Sequence, residues 1–419
     1  MNNIKTNILI ILFSILPISI VLSSGVSLIN TVLLSSCLIF VYFSKKKVKI
    51  YDLKPVLLLI IFNLYLIFNS FNSIDIMLGI FRNFGFVRFI LFFIIINYLF
   101  YIIKYDYSVF KPWLIVFSIF IIDVFFERLH GTNMIGYGGI DLPHGPRIVS
   151  FFKDEPIAGA YIYGFMFLIF GYIFLIYKNK NNLKKNILLM IFTLFLCAVL
   201  ITGERSNTIK ALFGFVVFIF FLDHIKTKIK LLLIFFLIFS FSLLISKTDF
   251  LKDRYFGQLI NKLLIKEKRG EFIESSVYFK LYKSGFNVFK NYPLFGVGNK
   301  NYRVETCNEK RSDIYNYHCS THPHQIYIEF ISEHGILGTL ICLSLLFYLI
   351  FKNLKIIINS KNFIQAGAFI YMITNFLPII PSGSFFSDFN ITFFMINFSL
   401  MYAVNKKTNI FETNIIQGR

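Results

Sequence analysis

Long apolar runs separated by short polar segments divide the chain. They fall near 7–24, 26–44, 55–70, 83–103, 110–126, 157–177, 187–202, 208–223, 230–246, 330–351, 363–380 and 389–405. A run of about 18 apolar residues, rising about 1.5 Å per residue in a helix, reaches across a bilayer's hydrocarbon core. The pattern predicts an all-α polytopic membrane protein with about twelve transmembrane helices, forming a single transmembrane domain over 1–419. Two polar stretches are too long for simple hairpins. One is 127–156, rich in Gly, Pro and His, and the other is 247–329, expected to be a large external loop holding short helices. A tight turn, Thr202–Asn207, joins two runs. Lys5, the run Ile8–Leu22 and Ser23-Ser24-Gly25 resemble a signal peptide, but a second apolar run follows at once. A retained first helix is therefore expected.

Within the long loop, Tyr278, Phe279, Tyr282, Phe286 and Phe289 recur at helical spacing with Lys280, Lys283 and Lys290 between them. Two readings fit: a helix on the membrane surface with its lysines toward lipid phosphates, or a helix packed on the bundle. The segment Asn291–Asn299 is a turn containing Gly296 and Gly298. It is either an ordinary loop or one that wraps closely on a ligand. No strand–turn–helix unit surrounds it, so it is not a dinucleotide fingerprint.

Composition agrees with a membrane protein: 56% of the 419 residues are hydrophobic, and mean hydropathy is +0.69. The net charge of +20 would suggest nucleic acid in a soluble chain. Here the cations cluster in short loops at Lys45–Lys49, Lys104 with Lys111, Lys178–Lys185, Lys226–Lys230, Lys352–Lys361 and Lys406–Lys407. Starting with the N-terminus inside, every cluster falls on the cytoplasmic side, together with both termini, as the positive-inside bias requires. The implied partners are membrane lipids, and no nucleic acid is expected. Cys307 and Cys319 flank a short polar stretch and are a candidate disulfide in an oxidising compartment. Cys37, Cys197 and Cys342 lie in apolar runs and read as packing residues.

The candidate chemistry gathers where polar segments meet apolar runs on the external side. His324 precedes a helix whose first turns carry Glu329 and Glu333. An imidazole there can take a proton from a hydroxyl near neutral pH, or it can merely cap or pack the helix start. His318, Cys319, His322 and His324 also invite a metal reading. A proline separates the last two histidines, and no carboxylate falls at a familiar ligand spacing, so no metal site is expected. Arg205 sits at the mouth of two helices beside Glu204. It reads as a fork for phosphate oxygens or as an ion pair with that glutamate. Arg147 and Lys153 offer cations from the first external segment, and Arg254 and Arg303 from the long loop. Together they suit an anionic lipid head group such as a diphosphate. Arg88, inside an apolar run, is expected to face the bundle interior.

Four segments, in order, resemble motifs of the O-antigen ligase and O-antigen polymerase superfamily of bacterial envelope glycosyltransferases. They are Arg147–Phe152 with Pro156, Thr202–Ser206, Pro293–Gly298, and His322–Gln325 through Gly335 and Gly338. The resemblance covers about 140–345 by motif and the remainder by topology. The chain departs at Gln325, where the family usually has Asn, and at Phe151 and Glu155, near its usual Gly and Asn.

The resemblance implies a multi-pass bacterial inner-membrane enzyme whose active site and large loop are periplasmic. Its donor would be an undecaprenyl-diphosphate-linked glycan, and its acceptor lipid A-core or another lipid-linked glycan. His324 would serve the acceptor hydroxyl and Arg205 the diphosphate. Arg303, just beyond the glycine loop, is a looser match; Arg147, Lys153, Arg254, His322 and Glu329 are substrate-binding candidates from their own placement beside these segments. No cofactor, metal or nucleotide sugar is implied, because the leaving group is already a lipid diphosphate. Ligation to lipid A-core is favoured over polymerisation, with a protein acceptor as a third choice. The rival from another class is a flippase for the same lipid-linked sugars; the large external loop argues against it, since transporters gather polar groups near the midplane.

Overall fold

A computed structural model describes residues 2–39, 49–139, 146–177, 182–221, 227–260 and 276–413. Lys45–Lys47, His144, Lys178, Lys180, Lys226 and the stretch 261–275 of the long loop, all invoked above, lie outside the described residues. Among the described residues there is no strand. The chain begins with α1 (Asn2–Ser14), α2 (Leu16–Leu22), α3 (Ser24–Ser36), α4 (Lys54–Phe71), α5 (Ile76–Gly85), α6 (Val87–Ile102), α7 (Lys111–His130) and α8 (Ala158–Tyr177). It continues with α9 (Asn182–Ile201), α10 (Arg205–Phe220), α11 (Thr227–Lys247), α12 (Asp249–Lys252), α13 (Val277–Asn291), α14 (Tyr302–Thr306) and α15 (Glu309–Tyr315). The last helices are α16 (Ile326–Phe351), α17 (Leu354–Ser360), α18 (Phe363–Asn375) and α19 (Asp388–Ala403).

Each of the twelve apolar runs overlaps a helix. Among the described residues, six stretches are long and apolar enough to cross a membrane: Lys54–Phe71, Ile76–Ile102, Tyr107–His130, Ala158–Tyr177, Lys230–Lys247 and Ile326–Ser360. A seventh is the pair Ile4–Ser14 and Leu16–Leu22, bent by 45° next to Pro17. Helix α9 is itself 20 residues long, whereas runs 363–380 and 389–405 yield helices of 13 and 16 residues. Run 363–380 stops as a helix at Asn375, ahead of Pro378 and Pro381. The start of α19 is set by Ser387, whose hydroxyl accepts the Asn390 amide at 3.3 Å.

The core is aromatic, and α8 runs through its centre, packed on α9, α10 and α18. Of its apolar window 83% is buried, against 17% for Lys230–Lys247. A stretch so enclosed is lined by protein, whereas the latter presents most of its surface outward. Arg88 does not lie free in the interior. With Arg82 it pairs to Asp388 in the first turn of α19, at 2.7 and 2.9 Å, tying α5 and α6 to α19.

Two of the glycine-bearing motifs fold as one unit. Helix α16 is broken at Gly335, with φ 63° and ψ −170°. The freed carbonyls of Ser332 and Glu333 accept the amides of Val297 and Gly298 at 3.0 and 2.9 Å. The amides of Ile336 and Leu337 donate to Pro293 and Leu294 at 2.8 and 3.3 Å. A Cβ on Gly335 would stand 2.3 Å from the Leu294 carbonyl carbon. The Pro293–Gly298 loop therefore wraps on the helix break, not on a ligand as one reading had it. Irregular backbone within a span is tolerated when protein satisfies it in this way. Asn69 of α4 holds the loop from the other side, accepting the Asn299 amide and donating to Phe295, both at 2.9 Å.

Helix α13 buries Leu281, Ser284, Gly285 and Val288 and packs on α16 and α14. The packed reading thus accounts for one face; Phe279, Lys283, Phe286 and Lys290 remain exposed on the other. Cys307 and Cys319 form a disulfide, with Cα atoms 4.5 Å apart, just ahead of the histidine segment.

Candidate active site

One cavity of about 980 Å³ collects polar groups from five places in the sequence. Arg147 comes from the segment before α8, Arg205 from the first turn of α10, Arg254 from beyond α12, His322 and His324 from the approach to α16, and Lys300 from the loop after Gly298. Five cationic side chains line it, Arg147, Arg205, Lys210, Arg254 and Lys300, against the two carboxylates Glu155 and Glu204. Such a surface attracts anions.

The Thr202–Arg205 turn clasps the three arginines. The Ile148 amide donates to the Thr202 carbonyl at 3.3 Å, which fixes the neighbour of Arg147. Arg254 Nε donates to the Gly203 carbonyl at 2.7 Å, and Arg205 Nη1 to the Arg254 carbonyl at 3.3 Å. Burial, followed by the charges of Arg147 and Arg205, pushes Arg254 down to about 10. Arg205 and Arg254, each donating to a backbone carbonyl, with the charge of Arg147 beside them, are pre-organised for a polyanion. Glu204 is not an ion-pair partner of Arg205. Its Oε1 accepts the Gly159 amide at 2.5 Å, and its Oε2 accepts Asn207 Nδ2 at 2.7 Å. It caps α8 instead, and burial raises it to about 7.

The segment carrying Arg147 rests on two buried carboxylates at the end of α7. Glu127 accepts the amides of Val149 and Ser150 at 3.0 and 2.6 Å, and Asp123 accepts the Ser150 hydroxyl at 2.5 Å. Ser150 is held at φ 52°. Sequence reasoning missed this support. Its trace was the pair of carboxylates four residues apart at the end of an apolar run, one turn apart on the same helix face.

Also lining the cavity, His322 and His324 pack ring on ring, 3.9 Å between centroids. Tyr278 meets the His324 ring at 6.1 Å, edge on. His324 does not cap α16. Gln325 does so, its Oε1 accepting the Ile328 amide at 2.9 Å, so the amide side chain that replaces the family's usual Asn has a local role. His324 is left at φ 56°, with its ring on the cavity. Burial lowers both histidines to about 4; the charge of Lys300 adds to this at His322, and His322 adds to it at His324. Both imidazoles are neutral at pH 7, the form that can accept a proton.

Three expected substrate-binding residues do not line the cavity. Lys153 and Arg303 are exposed elsewhere. Glu329 is fully buried behind the wall and held by Ser384 and the Phe385 amide. Lys210 and Lys300 line it without having been singled out. Lys210 sits inside a run read as apolar, and it reaches Asn375 Oδ1 at 3.4 Å. As for metal, Cys319 is committed to its disulfide, and no group of three or more His, Cys, Asp or Glu gathers among the described residues.

Residues 188–343 match the family model described as O-Antigen ligase. No curated protein matches the chain. Arg205, Arg254, Lys300, His322 and His324 fall inside the matched stretch, and Arg147 lies ahead of it. That match, over residues 188–343, supports the O-antigen ligase and O-antigen polymerase superfamily as the family of this chain.

Proposed function

We propose that this protein is a metal-independent membrane glycosyltransferase. It moves an undecaprenyl-diphosphate-linked glycan to an acceptor hydroxyl at the periplasmic face, with lipid A-core as the acceptor. The single observation that carries this reading is the shared cavity, which Arg147, Arg205, Arg254 and His324 all line. The diphosphate lies against the arginines. The acceptor hydroxyl lies against neutral His324, which takes its proton as the acceptor oxygen bonds to the anomeric carbon. The bond from that carbon to the diphosphate breaks, and undecaprenyl diphosphate leaves with the electron pair. The transition state is oxocarbenium-like. Negative charge grows on the leaving diphosphate, so fixed guanidiniums stabilise it more than the ground state. Direct displacement inverts the anomeric configuration. The basic loops support cytoplasmic termini and a periplasmic cavity.

The test is a lipopolysaccharide gel from a strain lacking the protein. Bare core with lipid-linked polymer accumulating behind it means ligase, and core bearing a single repeat means polymerase. An unchanged ladder, with no redundant copy in the genome, sinks both. Restoring the gene as His324→Ala is expected to lower transfer at least about 10²-fold while the protein still binds undecaprenyl diphosphate. A flippase would tolerate that change.

A further inference from the structure

The cavity has a second cationic pole. Lys300 leaves the Gly296–Gly298 turn at φ 68°, a left-handed conformation that residues with a side chain rarely adopt. Its Nζ donates to Ser384 Oγ. That hydroxyl donates to Glu329 Oε1 at 2.6 Å, and the Phe385 amide donates to Glu329 Oε2 at 2.9 Å. A relay thus runs from the cavity wall to a buried carboxyl group, with a hydroxyl between the two side chains. An ammonium has three donor positions, so Lys300 keeps capacity for a ligand beyond Ser384. His322 stands beside it, 9% exposed, and its Nε2 is buried without a hydrogen-bond partner. Burial and then Arg147 and Arg205 push Arg254 down, whereas burial and then the charge of Lys300 lower His322.

We propose that Lys300, seated through Ser384 on Glu329 and flanked by His322, forms a second anion subsite that takes a phosphate or carboxylate group of the acceptor. This rests on the transferase reading above. An anionic group held there, beside the paired histidine rings, fixes the acceptor and aims its hydroxyl at His324.

The experiment uses the full-length protein in detergent, with undecaprenyl diphosphate as the donor-side probe and inorganic phosphate as the acceptor-side probe. In the unmutated enzyme, inorganic phosphate is expected to compete with acceptor and not with donor. Lys300→Gln is expected to raise acceptor KM about tenfold, to remove that competition, and to leave undecaprenyl diphosphate affinity within about twofold. Lys300→Arg is expected to restore acceptor KM. Equal losses of undecaprenyl diphosphate affinity and acceptor KM would assign Lys300 to the donor site and overturn the proposal. So would an unchanged acceptor KM, or competition by inorganic phosphate against donor alone. The last outcome needs no variant, so a misfolded Lys300→Gln leaves the test intact. An unmutated protein that transfers to neither lipid A-core nor a lipid-linked repeat removes the transferase reading itself. Intact transfer with a Lys300-independent KM removes only this one.

Discussion

His322 and His324 each add to the acid sensitivity of the molecule. Their folded pKa of about 4 lies below the unfolded value near 6.5. Unfolding at intermediate pH therefore takes up protons. The stability these rings contribute is complete above about pH 6.5 and is lost as pH falls toward about 4, by up to about 1.4 kcal/mol per pH unit for each ring. The thermal unfolding midpoint of the full-length protein should fall steadily on acidification through that window. It should fall less in His322→Gln/His324→Gln, and an equal decline in both proteins would contradict the assignment. At this scale Arg147, Arg205, Arg254 and His324 were legible, because each is a titratable group at the edge of hydrocarbon. Lys300 was not, since a loop lysine reads as solvated until Ser384 and Glu329 are brought behind it.

At the scale of elements, the broken helix and the glycine loop decide the architecture. Four backbone hydrogen bonds are exchanged across Gly335, and neither partner can satisfy its amides and carbonyls alone. Gly335→Ala meets both a left-handed φ and the Leu294 backbone. It should cost more than about 3 kcal/mol, read as loss of monodisperse protein on gel filtration. Gly298→Ala, whose Cβ would stand 2.1 Å from Ser73 Cβ, should behave alike. Gly25→Ala, with only Ser23 Oγ at 3.7 Å, should be near neutral. Comparable behaviour of all three would argue against the interlocked loop. Both motifs were visible in the sequence as glycine patterns. Their mutual insertion was not, because it joins residues some forty positions apart through backbone groups that carry no side-chain signature.

For the whole molecule, orientation is the property the charge pattern argues most directly. With the cavity outside, Lys153→Cys, at an exposed position near the Arg147 segment, should react in intact spheroplasts with a membrane-impermeant maleimide. Lys406→Cys, in the turn after α19, should react only once the membrane is opened. The reverse pattern would place the cavity in the cytoplasm and remove the proposed donor's access. Asp388 shows how far apart in sequence the bundle's ties lie, since one carboxylate receives arginines from two helices about 300 residues away.

By itself the sequence determined that the chain is helical and membrane-embedded, where its cations collect, and which ordered motifs mark its family. These follow from local hydropathy, charge and spacing, which need no partner. The tertiary structure alone decided that Gln325, not His324, caps α16. It also decided that Glu329 lies behind the cavity while Lys210 and Lys300 line it. Helix ends, capping and cavity walls depend on which distant backbone groups and side chains meet, and hydrophobic periodicity does not encode those encounters.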